Sequence, residues 1–187
     1  RVGKDDADPL AYDTLPQLAV NDSGEVWLVW VSYEVPTGTE VHASRWDGST
    51  WTPHQQISTT DETPDTEPAL ALDAAGNPWV VWQGLVDDNA RYWRILFSHW
   101  DPAEAAWTAE AVASLPPSLE VDEQRPCLAF DAHAQPHLAW ALWSEISGIA
   151  RTTGDGSTWT APTWIETKDL VEAPVVAADQ EAWVFWL

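Results

Sequence analysis

Methionine is absent from this chain of 187 residues, phenylalanine occurs three times, and a single cysteine and eight basic residues stand against thirty acidic ones. Each shortage removes a class of function. One cysteine excludes an internal disulfide. Cys127 sits in the apolar run Cys-Leu-Ala-Phe with nothing beside it to stabilise a thiolate, so it reads as a small buried hydrophobe. A net charge of −22 leaves no cluster of Lys and Arg for nucleic acid, and an anionic membrane surface is disfavoured for the same reason. No apolar run approaches the roughly 18 residues of a membrane span, so no membrane insertion is expected. The chain holds no Asp-x-Asp-x-Asp-Gly loop for calcium, no glycine-rich phosphate loop and no Gly-x-Ser-x-Gly nucleophile turn. The acidic surplus therefore reads as a solubilising or salt-adapted surface. Calcium or a basic partner is the sharper alternative, and calcium lacks a ligand set here.

What is abundant is tryptophan, fifteen residues, and it recurs in register. The stretch Pro68 to Trp82, Pro-Ala-Leu-Ala-Leu-Asp-Ala-Ala-Gly-Asn-Pro-Trp-Val-Val-Trp, has counterparts beginning at Pro16, Pro126 and Pro174. In the first three copies the closing Trp30, Trp82 or Trp140 lies 14 positions after the proline; the fourth reaches Trp186 in 12. A fixed period of this size marks a repeat architecture. The single domain over 1–187 divides into repeats at 16–58, 68–115, 126–167 and 174–187.

The first repeat reads as four strands. Gln17 to Val20 and Val26 to Val31 flank the turn Asn21-Asp22-Ser23-Gly24; a loop from Tyr33 to Thr39 leads to Val41 to Trp46; Asp47-Gly48 is a hairpin signal before Trp51 to Ile57. Repeat two maps as Ala69 to Leu72, Trp79 to Trp82, Ile95 to Trp100 and Trp107 to Val112. Repeat three maps as Cys127 to Phe130, His137 to Leu142, Ile149 to Thr153 and Trp159 to Ile165. Repeat four supplies Val175 to Ala178 and Trp183 to Leu187. No helix is expected. The first two strands of each unit are apolar at successive positions, so both faces must be covered. Stacking of sheets around an axis does this, with small residues where the sheets converge, and Ala19, Ala71, Ala129 and Ala177 hold equivalent places in the first strand. Unit spacings of 52, 58 and 48 residues fit the blades of a β-propeller. The expected fold is all-β, a propeller of four-stranded antiparallel blades with about three and a half blades in this chain. An open β-solenoid is the competing architecture. A closed ring needs at least four blades, so a longer parent protein, other copies or partner chains are expected to complete it. Val2, 14 residues before Pro16 as Val112 is before Pro126, reads as the end of a strand from a preceding repeat.

The third hairpin carries a resemblance. Ser44-Arg-Trp-Asp47-Gly48-Ser-Thr50-Trp51 and Thr152-Thr-Gly-Asp155-Gly156-Ser-Thr158-Trp159 resemble the Asp-box, Ser/Thr-x-Asp-x-Gly-x-Thr-Trp, of sialidase-like (BNR-repeat) propellers. Both boxes set the Asp one place late, and the second repeat has Asp101-Pro102 with a two-residue insertion. The resemblance implies a structural turn between the third and fourth strands of a blade. Sialidase chemistry, as the family performs it, uses three arginines, a Tyr nucleophile with a Glu partner, and an acidic proton donor. The family's Arg-Ile-Pro signature is absent. Of six arginines, Arg1, Arg45 and Arg151 lie at a terminus or beside the boxes. Catalysis is therefore not expected, no catalytic residue is assigned, and no cofactor is implied. Asp131-Ala-His133-x-x-x-His137 has ligand spacing only on a helix, and this segment is strand, turn and strand, so no metal is expected.

Binding is left, and the resemblance implies that it uses the face opposite the boxes, where the loops from strand two to strand three lie. The longest of these loops holds Asp87, Asp88, Arg91, Tyr92, Trp93 and Arg94. Arg beside Trp or Tyr is the composition of interface hot spots, although the two arginines could equally neutralise the two aspartates. Tyr33 and Trp143 are further aromatic candidates, and Glu67 and Arg125, each preceding a repeat proline, could reach the central opening. Two readings stay open: a protein-binding module of an exported or surface protein, and a glycan-binding lectin-like propeller. A fragment of a sialidase-like glycoside hydrolase is a third.

Overall fold

The computed structural model describes residues 12–34, 38–86, 92–114, 120–143, 147–167, 174–178 and 182–185. Among these every regular element is a strand, so no helix is long and apolar enough to cross a membrane. Blade one is β1 (Tyr12–Val20), β2 (Val26–Glu34), β3 (Gly38–Trp46) and β4 (Gln55–Gln56), hydrogen-bonded in that order. Blade two is β5 (Asp65–Leu72), β6 (Pro78–Gly84) and β7 (Arg94–Asp101), with its outer position shared by two short pieces, β8 (Ala106–Trp107) and β9 (Ala111–Val112), both paired to β7. Blade three is β10 (Asp122–Phe130), β11 (Pro136–Trp143), β12 (Ser147–Thr153) and β13 (Thr163–Glu166); β14 (Val175–Ala178) and β15 (Ala182–Phe185) form an inner pair of a fourth. All pairings are antiparallel. The chain has a β-propeller fold, as its repeats predict.

The small-residue taper lies where expected. Ala19 pairs with Trp27, Ala71 with Trp79, Ala129 with His137 and Ala177 with Trp183, so each inner-strand alanine is paired with the second residue of strand two, a ring-bearing one in every repeat. Second strands are covered on both faces: β6 is buried along its whole length. Val29, Val41, Ala43 and Ile57 of blade one pack against Val80, Trp82 and Leu96 of blade two. Trp79, Val81 and Phe97 of blade two pack in turn against Leu128, Leu138 and Trp140 of blade three. Face-to-face burial of this kind contributes roughly 25 cal/mol per Å² of apolar area.

Strand limits differ from the sequence reading in a consistent way. The inner strands of the first three blades begin four or five residues before the expected start, running through the repeat proline. A bulge makes this possible: register shifts between Thr14 and Gln17, Thr66 and Ala69, and Gln124 and Cys127. Leu15, Glu67 and Arg125, the residues before the prolines, take φ of 50°, 52° and 52°. That is the left-handed region, unusual for any residue but glycine and more so before proline. The expected fourth strand from Trp51 to Ile57 is only β4 plus an isolated bridge from Trp46 to Trp51. The Trp159 to Ile165 strand shrinks likewise to β13 and a Gly154 to Trp159 bridge. Pro53 and Pro162 interrupt both ladders, since proline brings no amide to pair. The last two residues of the expected Trp183 to Leu187 strand lie outside the described residues.

The turns that resemble Asp-boxes hold together as their residues dictate. Asp47 Oδ1 accepts from the amides of Ser49 (2.8 Å) and Thr50 (2.9 Å), and Asp155 Oδ1 from those of Ser157 (2.9 Å) and Thr158 (2.8 Å). Gly48 and Gly156 take φ of 97° and 91°. In blade two the longer turn keeps the same device, with Asp101 Oδ1 bonded to the Ala103 amide at 2.8 Å.

Candidate functional site

Register defines the face on which the expected binding residues meet. Tyr12 pairs with Tyr33, Asp65 with Gly84 and Asp122 with Trp143, so the start of each inner strand and the end of each second strand share one end of the sheet. The turns from strand one to strand two, and those of Asp47 and Asp155, lie at the other end.

At the shared end the inner strands line an axial cavity of about 500 Å³, walled by Gln17, Glu67, Pro68, Arg125, Pro126 and Pro174. All lie at or beside the repeat prolines of four successive repeats, and Glu67 and Arg125 are the left-handed residues of their bulges. Left-handed backbone on non-glycine residues costs on the order of 1 kcal/mol each, a cost met more often at ligand sites than elsewhere. Arg125 is held from both sides. Its amide donates to Gln83 Oε1 of blade two at 3.0 Å, and its guanidinium lies 5.7 Å from the ring centroid of Trp143. Trp143 is 38% exposed, so one surface of the indole faces solvent beside a cation.

Blade one presents a second aromatic surface at the same end. Tyr33 stacks on Tyr12 with ring centroids 5.2 Å apart and planes 18° from parallel, and Tyr12 is 51% exposed. Tyr12 escaped the sequence reading because it precedes the proline; its signal is the pairing with Tyr33, visible only once the strand runs through the bulge.

Blade two corrects an expectation. Arg94 belongs not to an open loop but to the first position of β7, and it is 3% exposed. Its Nη1 donates to the carbonyls of Val121 (2.7 Å) and Trp93 (3.1 Å) and lies 3.6 Å from Glu123 of blade three. It thereby joins its blade to the next one. Trp93 shares that task, its amide donating to Asp122 Oδ1 at 3.0 Å and its carbonyl accepting from the Glu123 amide at 3.2 Å. Tyr92 lies under Arg94, 5.9 Å from ring centroid to guanidinium. Arg91, Asp87 and Asp88 lie outside the described residues. The structure thus brings Glu67 and Arg125 to one cavity with Trp143 beside Arg125, sets Tyr33 on blade one at the same end of the sheets, and uses Trp93 and Arg94 to join two blades.

Other candidates take structural places. Burial raises the Cys127 thiol to about 12, so it stays protonated. His137 Nε2 donates to Asp131 Oδ2 (3.1 Å), while Asp131 Oδ1 accepts from the amides of His133 and Gln135, so the pair serves its own turn. Among the described residues no group of three His, Cys, Asp or Glu is placed to hold a metal ion.

Comparison with solved structures returns propellers. A Hadza microbial sialidase superposes with a TM-score of 0.65 at 14% identity, over 88% of this chain and 39% of that one. An ulvan lyase, described as a new family of polysaccharide lyase, gives 0.66 at 12% over 90% and 47%. Aleuria aurantia lectin gives 0.54 at 16% over 91% and 53%. These likenesses show the fold, and the chain spans about half the length of each structure or less. No protein-family model and no curated protein sequence matches the chain.

Proposed function

We propose that this chain is a non-catalytic binding segment of an exported or surface propeller, and that it holds a glycan at the mouth formed by Glu67, Arg125 and Trp143. The observation that carries the proposal is the Trp143 indole, exposed on one surface and braced by Arg125, at the edge of the axial cavity. An aromatic face offers the apolar side of a sugar ring a flat surface, while the guanidinium and the Glu67 carboxylate offer hydrogen bonds to hydroxyls. The stacked Tyr12 and Tyr33 extend the same chemistry to blade one. The proteins that share this fold include several named for acting on or binding saccharides, which supports the reading. The turns resembling Asp-boxes act as structural staples in it.

A protein partner is the second reading, favoured by Arg next to Trp and Tyr, the composition of binding hot spots. The experiment is a glycan array probed with the purified chain, repeated with Arg125→Gly and Trp143→Ala. Glycine accepts the left-handed backbone of residue 125, so Arg125→Gly removes the side chain without straining the fold. Glycan signal that both substitutions abolish, at an unchanged melting temperature, supports the proposal. An array without signal refutes the glycan reading and leaves the protein partner.

A further inference from the structure

The two junctions between complete blades set the same two register positions against each other with opposite chemistry. At the second junction Arg94, opposite Gly84 in β6, meets Glu123, with side chains 4% and 0% exposed. The counterpart of Arg94 in blade one is Glu40, opposite Ser32 in β2. The counterpart of Glu123 in blade two is Asp65, each three residues before the repeat proline. At the first junction, therefore, a carboxyl faces a carboxyl. Glu40 is 1% exposed and Asp65 3%.

The surroundings supply few donors. Ser58, in the segment joining the two blades, accepts from the Val41 amide (3.0 Å) and donates to Glu40 Oε2 (2.6 Å). It also lies against Asp65, and its single hydroxyl proton cannot serve both carboxyls. Asp65 Oδ1 accepts from the Trp82 indole at 3.0 Å. The charged groups acting on Glu40 are Asp61 and Glu110, and those acting on Asp65 are Glu110 and Glu40 itself; all are acidic. Glu110 is occupied by the Thr59 amide at 3.0 Å. Two ionised carboxylates buried without a cation would repel each other at low dielectric.

We propose that a proton retained on the Glu40 and Asp65 pair closes the first blade junction, in the role that the Arg94 guanidinium fills at the second, so that rising pH loosens blade one from blade two alone. The inference stands on the blade junctions and does not depend on the proposed ligand. Burial, the largest cause in each case, raises Glu40 to about 7 and Asp65 to about 8. Carboxyls raised above their unfolded values of 4.5 and 3.8 keep protons that the unfolded chain has lost, so their contribution to stability falls as pH climbs toward 7 and 8. His42, which burial lowers to about 4 from 6.5, acts in the opposite direction but only below its unfolded value. The window from about pH 6.5 to about pH 8 leaves His42 aside; Glu110 beside the pair, raised by its own burial, acts in the same direction as the pair.

The test follows thermal unfolding of the full chain across that window, with amide hydrogen exchange on the wild type. The wild-type midpoint should fall as pH rises; Glu40→Gln and Asp65→Asn should each reduce that fall, Asp65→Asn by more because the higher of the two values spans more of the window. Glu123→Gln should leave the slope alone. In exchange corrected for intrinsic chemistry, the Val41 and Ile57 amides, bonded to Ser58 Oγ and the Val41 carbonyl, should lose protection as pH rises, while the Ala113 amide, bonded to the Ile95 carbonyl, should not. Wild-type exchange decides the matter even if a variant does not fold. A flat midpoint, slopes unaltered by Glu40→Gln and Asp65→Asn, or equal loss of protection at both sets of amides would overturn the proposal.

Discussion

Trp82 donates its indole N–H to Asp65 Oδ1 at 3.0 Å, and Trp30 makes the same bond to Asp13 at 3.1 Å one blade earlier. The closing tryptophan of the repeat is thereby tied to the acid that precedes the repeat proline by three. In blade three that acid is Glu123, drawn toward Arg94, and the buried indole nitrogen of Trp140 has no hydrogen-bond partner among the described residues. Replacing each tryptophan by phenylalanine should separate bond from packing. Trp82→Phe should cost on the order of 1–3 kcal/mol more than Trp140→Phe, because only the former strips a buried carboxyl of its donor. Urea unfolding of the two variants measures the difference.

Gly48 and Gly156 occupy equivalent turns with nearly the same φ, yet their surroundings differ. A Cβ at residue 48 would meet nothing within 4 Å, whereas one at residue 156 would come within 2.5 Å of the Trp79 ring. Gly48→Ala should cost about 1–2 kcal/mol for the left-handed backbone alone. Gly156→Ala should cost more, since Trp79 is buried against Phe130 and stacked on His99 and cannot move aside freely. Melting temperatures of the two variants should rank in that order.

Asp47 is held at about 2, first by the Thr50 amide and then by Ser49. A carboxylate lowered from 3.8 contributes stability that is present above that value and fades as pH falls toward 2. Asp47→Ala should lower the melting temperature at neutral pH and flatten the acid limb of the stability profile. Binding at the opposite face should be unchanged, which would mark the turn as structural.

Much of this fold is written in the repeat itself. Ala19, Ala71, Ala129 and Ala177 announce the converging inner strands, and the spacing from proline to tryptophan sets the strand one to strand two hairpin. What escapes is whatever depends on the neighbouring blade. Pro16, Pro68 and Pro126 look like strand starts because proline offers no amide; the left-handed residue before each lets the strand continue, and nothing in the identities Leu15, Glu67 and Arg125 signals that conformation. Arg94 reads as a loop cation because its partner, Glu123, is distant in sequence. The acids Asp13, Asp65 and Glu123 were open to view as a repeated position, but the burial of Asp65 and Glu123 follows only from the packing of one sheet on the next. Of the candidate site, Glu67, Arg125 and Trp143 could be named from repeat position and aromatic character, while Tyr12 could not.

The most direct measurement is titration of the purified chain with glycans selected on an array, followed by intrinsic tryptophan fluorescence and run in parallel with Arg125→Gly, Trp143→Ala and the opposite-face control Trp51→Ala. A glycan site at the mouth of the axial cavity predicts saturable binding by the wild type and Trp51→Ala, with at least about a tenfold loss in each of the other two, equivalent to about 1.4 kcal/mol. Saturable glycan binding that Arg125→Gly and Trp143→Ala leave intact, or no glycan binding by the wild type at all, would contradict it.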